Sequence, residues 1–173
     1  LDLSQRLNYI IIGCYSSWIF TDILPTIQFD AMYNCIGVVP TNCTMENAKK
    51  VFEHLQDIFS CNHENEIFST CPPRFFINEL NQKSCIVDTL SEIFQEHSQI
   101  EAVILDVPQT ILKSCITTCW KYNIHVMTRS PASHDSTSAQ ELLSLKPSQL
   151  LWFDYSPFKF ETALLQVFNI IRQ

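Results

Sequence analysis

The chain has 173 residues, 46% hydrophobic and 17% charged, with two glycines, eight prolines and eight cysteines, which excludes a disordered or collagen-like chain and fits a globular domain. Eighteen acidic residues against eleven basic ones give a formal charge of −7, which repels nucleic acid and anionic lipid, and no nucleic-acid partner is expected. With Gly13 and Gly37 the only glycines, neither G-x-G-x-x-G nor G-x-x-x-x-G-K-[ST] can be written, which removes the common nucleotide loops.

Position 1 is Leu, which reads as a fragment or a processed chain, and the last helical pattern reaches Gln173 without a closing Gly or Pro, as though cut where it would continue. Behind Arg6 an apolar run extends from Leu7 to Phe20. It is too short for a bilayer span and fits either the middle of a secretory signal or an ordinary strand. Residues 1–30 are therefore read as a signal remnant or an extra N-terminal strand, and 31–173 as an α/β lobe.

From Thr44, a cap residue, the apolar positions Ala48, Val51, Phe52, Leu55, Ile58 and Phe59 recur at helical spacing. The stretch 60–73 is irregular and reads as a surface loop closed by Cys61 and Cys71. Asn81 opens a second helix with Ile86, Val87, Leu90, Ile93 and Phe94 on one stripe, and Gln109 a third with Ile111, Leu112, Cys115, Ile116, Cys119 and Trp120. A shorter helix is expected near 138–145, and a last one at Ser156-Pro157 carrying Phe160, Leu164, Val167, Phe168 and Ile171. Between the helices, unalternating apolar runs at 31–39, 74–78, 100–107, 123–128 and 149–155 fit strands covered on both faces. The order implies a doubly wound α/β fold, a parallel five-stranded sheet with helices on both faces.

The chemistry-bearing residues each have a plain structural alternative. Cys115 and Cys119 have the spacing to offer two thiolates to a metal, yet they sit on an apolar stripe, which favours core packing. Cys61, His63 and Cys71 lack a fourth ligand at a familiar spacing, so no metal site is expected and a Cys61–Cys71 disulfide is preferred if the chain is exported. Asp106 and Asp154, at strand ends, are placed either for catalysis or for capping a turn, and His134-Asp135 reads as solvated loop. Asn42-Cys43-Thr44 matches the N-glycosylation pattern, with Asn42 as acceptor.

The run Asn81-Gln-Lys-Ser-Cys-Ile-Val-Asp-Thr-Leu-Ser-Glu-Ile-Phe, followed by Ser98-Gln-Ile-Glu-Ala-Val-Ile-Leu-Asp-Val, resembles the amino-terminal domain of ionotropic glutamate receptors, most closely NMDA-type subunits. There a D-P-K-S helix leads to an I-x-G-V-V strand. Residues 110–120 and 123–130 are similar to the family's next helix and strand, and 149–171 to its aromatic strand F-F-Q-F-G-x-S and long helix; the resemblance covers 32–173. Two departures stand out. Arg129-Ser-Pro-Ala-Ser133 replaces the glycine-rich turn, leaving the family's zinc and modulator residues without counterparts, and the family's helix cysteine falls at Leu90, with Cys85 no substitute.

The resemblance implies one lobe of a type I periplasmic-binding-protein fold, a non-enzymatic extracellular part of a ligand-gated channel. Its partners would be other receptor subunits and a small-molecule modulator, with no cofactor and with membrane attachment only through further segments. By the doubly wound rule the crevice lies over the ends of the first and third strands, which nominates Pro40, Thr41, Asp106, Val107 and Pro108, with Ser130 and Tyr155 nearby. The alternatives are a receptor guanylyl cyclase or class C receptor ectodomain, an intracellular flavodoxin-like α/β enzyme or module using Asp106, and a degenerate protein that kept the fold alone.

Overall fold

The computed structural model describes residues 6–14, 18–24, 32–41, 45–61, 74–76 and 86–156. Six strands form one all-parallel sheet: β1 (Leu7–Gly13), β2 (Tyr33–Pro40), β3 (Arg74–Phe75), β4 (Ala102–Leu105), β5 (His125–Arg129) and β6 (Trp152–Tyr155). Their spatial order is β3-β2-β1-β4-β5-β6. The helices are α1 (Met45–Cys61), α2 (Ile86–Glu96), α3 (Gln109–Lys121) and α4 (Ser136–Leu145), with a five-residue π-helical turn at Ile19–Ile23 after β1.

The centre of the sheet is the Leu7–Gly13 segment. Its Ile10, Ile11 and Ile12 are fully buried and point alternately to the two faces, and each such side chain contributes about 1.5–3 kcal/mol on leaving water. On one face Ile10, Ile12, Val103, Leu105 and Val126 pack under α2, α3 and α4 through Leu90, Ile93, Leu112, Ile116 and Leu142. On the other face Tyr9, Ile11, Val38 and Ile104 pack under α1 and the π turn through Ala48, Val51, Leu55, Trp18, Ile19 and Ile23. Burial on both faces explains why the strands read as continuous Ile/Val runs rather than alternating ones.

The five-stranded expectation is corrected to six. An apolar run able to serve as a signal core is equally good as a doubly covered strand, and here Leu7–Gly13 pairs with β2 on one side and β4 on the other. The strand pairs at its upper end as Gly13 with Pro40 and as Ile12 with Leu105. A register shift between Tyr9 and Ile10, opposite Cys35 and Gly37, leaves Ile36 as the extra residue of a bulge. Several expectations fall outside the described residues: the Thr44 cap, the glycosylation acceptor Asn42, the loop partners His63 and Cys71, and the helix after Ser156. Cys61 itself closes α1 rather than lying in a loop.

Candidate functional site

In a parallel sheet the backbone crosses away at each strand's carboxyl end, and a crevice opens where neighbouring crossovers leave in opposite directions. The order reverses between β1 and β4. Gly13 and Asp106 face each other there, with the Asp106 N–H donating to the Ile12 carbonyl at 2.9 Å. The approach is so close that a Cβ on Gly13 would stand 2.2 Å from the Asp106 carbonyl oxygen and 2.7 Å from Val107 Cγ1. Gly13 also has φ +100°, so the chain can leave β1 here only through glycine. Cys14 follows in the left-handed region at φ 62°, a conformation costing a residue with a Cβ about 1–2 kcal/mol.

Beside this junction, over the ends of β4 and β5, lies a cavity of about 340 Å3. Asp106, Val107, Pro108 and Gln109 form one wall and Arg129, Ser130 and Pro131 the other, with Leu105 and Leu112 beneath. Its frame is tied by bonds to backbone carbonyls: Gln109 Nε2 donates to that of Pro131 at 2.7 Å, and the Ser130 N–H to that of Tyr155 at 2.7 Å. The Ser130–Pro131 peptide is cis. Asp106 is 5% exposed while Arg129 is exposed, so a buried carboxylate and a solvated cation bound a partly apolar space.

Of the residues nominated from sequence, Asp106, Val107, Pro108 and Ser130 meet at this cavity. Pro40 and Thr41 stand at the end of β2, with Gly13 between them and β4. Counting 31–39 as the first strand places them next to Asp106, whereas β1 intervenes. Tyr155 reaches the cavity only through its carbonyl. Its ring stacks on Trp18, and burial first, then the Asp22 carboxylate, raises its phenol above the ordinary range.

The remaining candidates have structural roles. Asp154 accepts from the Thr128 hydroxyl at 3.2 Å, which in turn accepts from Trp152 Nε1 at 3.1 Å. Cys115 and Cys119 are buried among Leu112, Ile116 and Trp120. Asp135, expected in a solvated loop, is the N-cap of α4, accepting from the Ser138 N–H and hydroxyl at 2.8 Å each, and these bonds hold its carboxyl below the usual range. The readable signal was Asp-Ser-Thr-Ser ahead of Ala-Gln-Glu-Leu-Leu. Gly13, Gln109 and Arg129 were missed because the first is local to an unassigned strand and the others lie apart in sequence.

An apolar hollow of about 430 Å3 lies on the sheet face below the π turn, between Tyr9, Ile23, Ala102, Met127, Phe153 and Tyr155. Its lining is mostly apolar, with Asp22 and His125 also on its walls, and it lies along the strands rather than at their ends.

No family model matches the chain, and no curated protein does. Solved structures do. The 3-ketoreductase KijD10 from Actinomadura kijaniata, in complex with NADP and TDP-benzene, superposes with a TM-score of 0.65 at 15% identity, covering 96% of this chain and 42% of its own. An oxidoreductase from Thermotoga maritima gives 0.66 at 14%, covering 96% and 43%, and yvaA from Bacillus subtilis gives 0.64 at 13%, covering 96% and 40%. The chain thus spans less than half the length of these structures. At such identities the likeness is one of fold, and the order β3-β2-β1-β4-β5-β6 is that of the Rossmann class.

These findings overturn the glutamate-receptor resemblance. Short apolar strands followed by amphipathic helices occur in every doubly wound fold, and the quoted runs carried that pattern rather than a receptor-specific geometry. The expectations that rested on it fall together: the ligand-gated channel lobe, the absence of enzymatic activity, and the extracellular face of the plasma membrane. Among the described residues no helix is long and apolar enough to cross a membrane.

Proposed function

We propose that the chain is the Rossmann-type domain of an oxidoreductase-like enzyme and that its ligand enters the crevice over β4 and β5. The observation that carries this reading is the reversal of strand order between β1 and β4 beside a cavity bounded by Asp106, Arg129 and Ser130. Of the alternatives open from sequence, it is closest to an α/β enzyme using Asp106. KijD10, of the same fold, binds NADP. A nicotinamide mononucleotide matches the chemistry of the cavity: Leu105, Val107 and Leu112 offer apolar contact for a ring, Gln109 and Ser130 polar edges, and Arg129 a cation for the phosphate.

The test is a titration with nicotinamide mononucleotide followed by backbone amide NMR. Shifts that saturate and cluster at 105–112 and 129–131 support the proposal, and Arg129→Gln should weaken binding about tenfold, which is ~1.4 kcal/mol. Silence at those positions, or shifts confined elsewhere, rejects it.

A further inference from the structure

We infer that the chain retains the sheet of a dinucleotide-binding domain without its grip on the pyrophosphate, so that the ADP half of a dinucleotide contributes nothing to binding. For the place of the remaining ligand the inference rests on the reading above. For the β1 turn it stands alone.

A dinucleotide pyrophosphate is held at the first βα turn by three glycines and a helix N-terminus. The first glycine makes the turn, the second lets the backbone approach the phosphates, and the third lets the helix pack on the strand. Laid on Gly13, the pattern keeps only the first of these, for positions 15 and 18 are Tyr and Trp. Trp18 is 2% exposed and belongs to the core with Tyr9, Ile19, Ile23 and Leu24. An indole between turn and sheet occupies the volume that the third glycine keeps clear for close packing.

The described residues after the turn, 18–24, are helical, with Trp18 at the N-cap of the π-bonded stretch Ile19–Ile23 and no side-chain cap. At the end of β2 the ribose-binding carboxylate is also missing: the chain has neither Asp nor Glu from Tyr33 to Met45, and Pro40-Thr41 occupies the strand end. Turn and ribose contact therefore disagree with a dinucleotide at separate positions, while the strand order agrees with one.

The experiment uses the whole chain labelled with 5-fluorotryptophan, whose three tryptophans give three resonances, that of Trp18 assigned from Trp18→Phe. NADP, nicotinamide mononucleotide and ADP-ribose are titrated in parallel, with affinities from calorimetry. The expected result is NADP and nicotinamide mononucleotide within about threefold of each other, and ADP-ribose leaving the Trp18 resonance in place. An NADP affinity ~100-fold or more above that of the mononucleotide, or a saturable shift of Trp18 with ADP-ribose, overturns the inference and leaves the crevice reading standing. If none of the three ligands binds, the inference about the β1 turn holds and the proposed function is lost.

Discussion

The indole of Trp18 lies on the ring of Tyr155, with centroids 5.6 Å apart and planes 21° from parallel. This contact joins the turn after β1 to β6 at the sheet's edge, across β4 and β5. It ties the π turn to the sheet through an aromatic face. Trp18→Ala should cost about 3–5 kcal/mol in a denaturant titration, and Trp18→Phe, which preserves an aromatic face, distinctly less. Equal losses for the two would show that the stack does not hold the turn.

Gly13→Ala should be still more selective in its reason. The substitution adds one methyl group, but that carbon would stand 2.2 Å from the Asp106 carbonyl and force a side chain onto φ +100°. Backbone strain of about 1–3 kcal/mol and overpacking of similar size add. A fall in the unfolding midpoint equivalent to at least ~2 kcal/mol is expected. A midpoint unchanged from the parent would mean that β1 and β4 are not so closely apposed.

The sheet was largely legible because doubly covered strands have to be apolar throughout, and three of the described helices announced themselves by stripes such as Leu90, Ile93 and Phe94. What stayed open was the assignment of Leu7–Gly13, as a signal remnant or an extra strand. Nothing in Asn-Tyr-Ile-Ile-Ile-Gly separates a signal core from a central strand, since both are selected for burial away from water. That one ambiguity displaced the switch point by a strand and put Pro40 and Thr41 beside Asp106.

Two glycines leave no G-x-G-x-x-G loop to be written, yet the strand order of a dinucleotide fold depends on Ile and Val in the strands and on crossovers, not on the loop's glycines. Asp106, Val107, Pro108 and Ser130 converge because β4 and β5 are neighbours in register, Leu105 opposite Thr128. Arg129 could not be added from sequence, since a cation at a strand end has no local signature.

Thr128 offers a test of the β5–β6 edge. The side chain is fully buried, and its hydroxyl accepts from Trp152 Nε1 and donates to Asp154 Oδ1. Thr128→Val keeps the shape and removes both bonds, leaving a partly buried indole N–H and a carboxylate short of a donor. A loss of about 1–3 kcal/mol follows, read in the unfolding midpoint. Trp152→Phe introduced into the Thr128→Val variant should then add less to the loss than Trp152→Phe costs in the parent, because the bond is already gone. Additive losses would show that the hydroxyl and the indole do not interact.

Alkaline pH should destabilise the fold through its buried acids. Burial pushes the Cys35 thiol up to about 12, with Tyr9 and Gly37 bonds pulling weakly the other way. Burial, then the Asp106 charge and Cys35, raises Cys14 further, while Cys119 and Tyr9 are likewise raised chiefly by burial. Each of these groups is neutral in the fold and ionises more readily once unfolded. Their contribution is therefore complete below the unfolded pKa, near pH 9 for the thiols and pH 10 for the phenol, and is lost as pH rises toward the folded value. Between those limits each thiol removes about 1.4 kcal/mol per pH unit. Unfolding midpoints measured from pH 7.5 to 10.5 should fall progressively above roughly pH 9, and Cys35→Ala should flatten the slope. The same burial makes Cys14, Cys35, Cys115 and Cys119 slow toward a thiol reagent until the chain unfolds, and rapid labelling of all four in the native protein would contradict the packing that sets the slope.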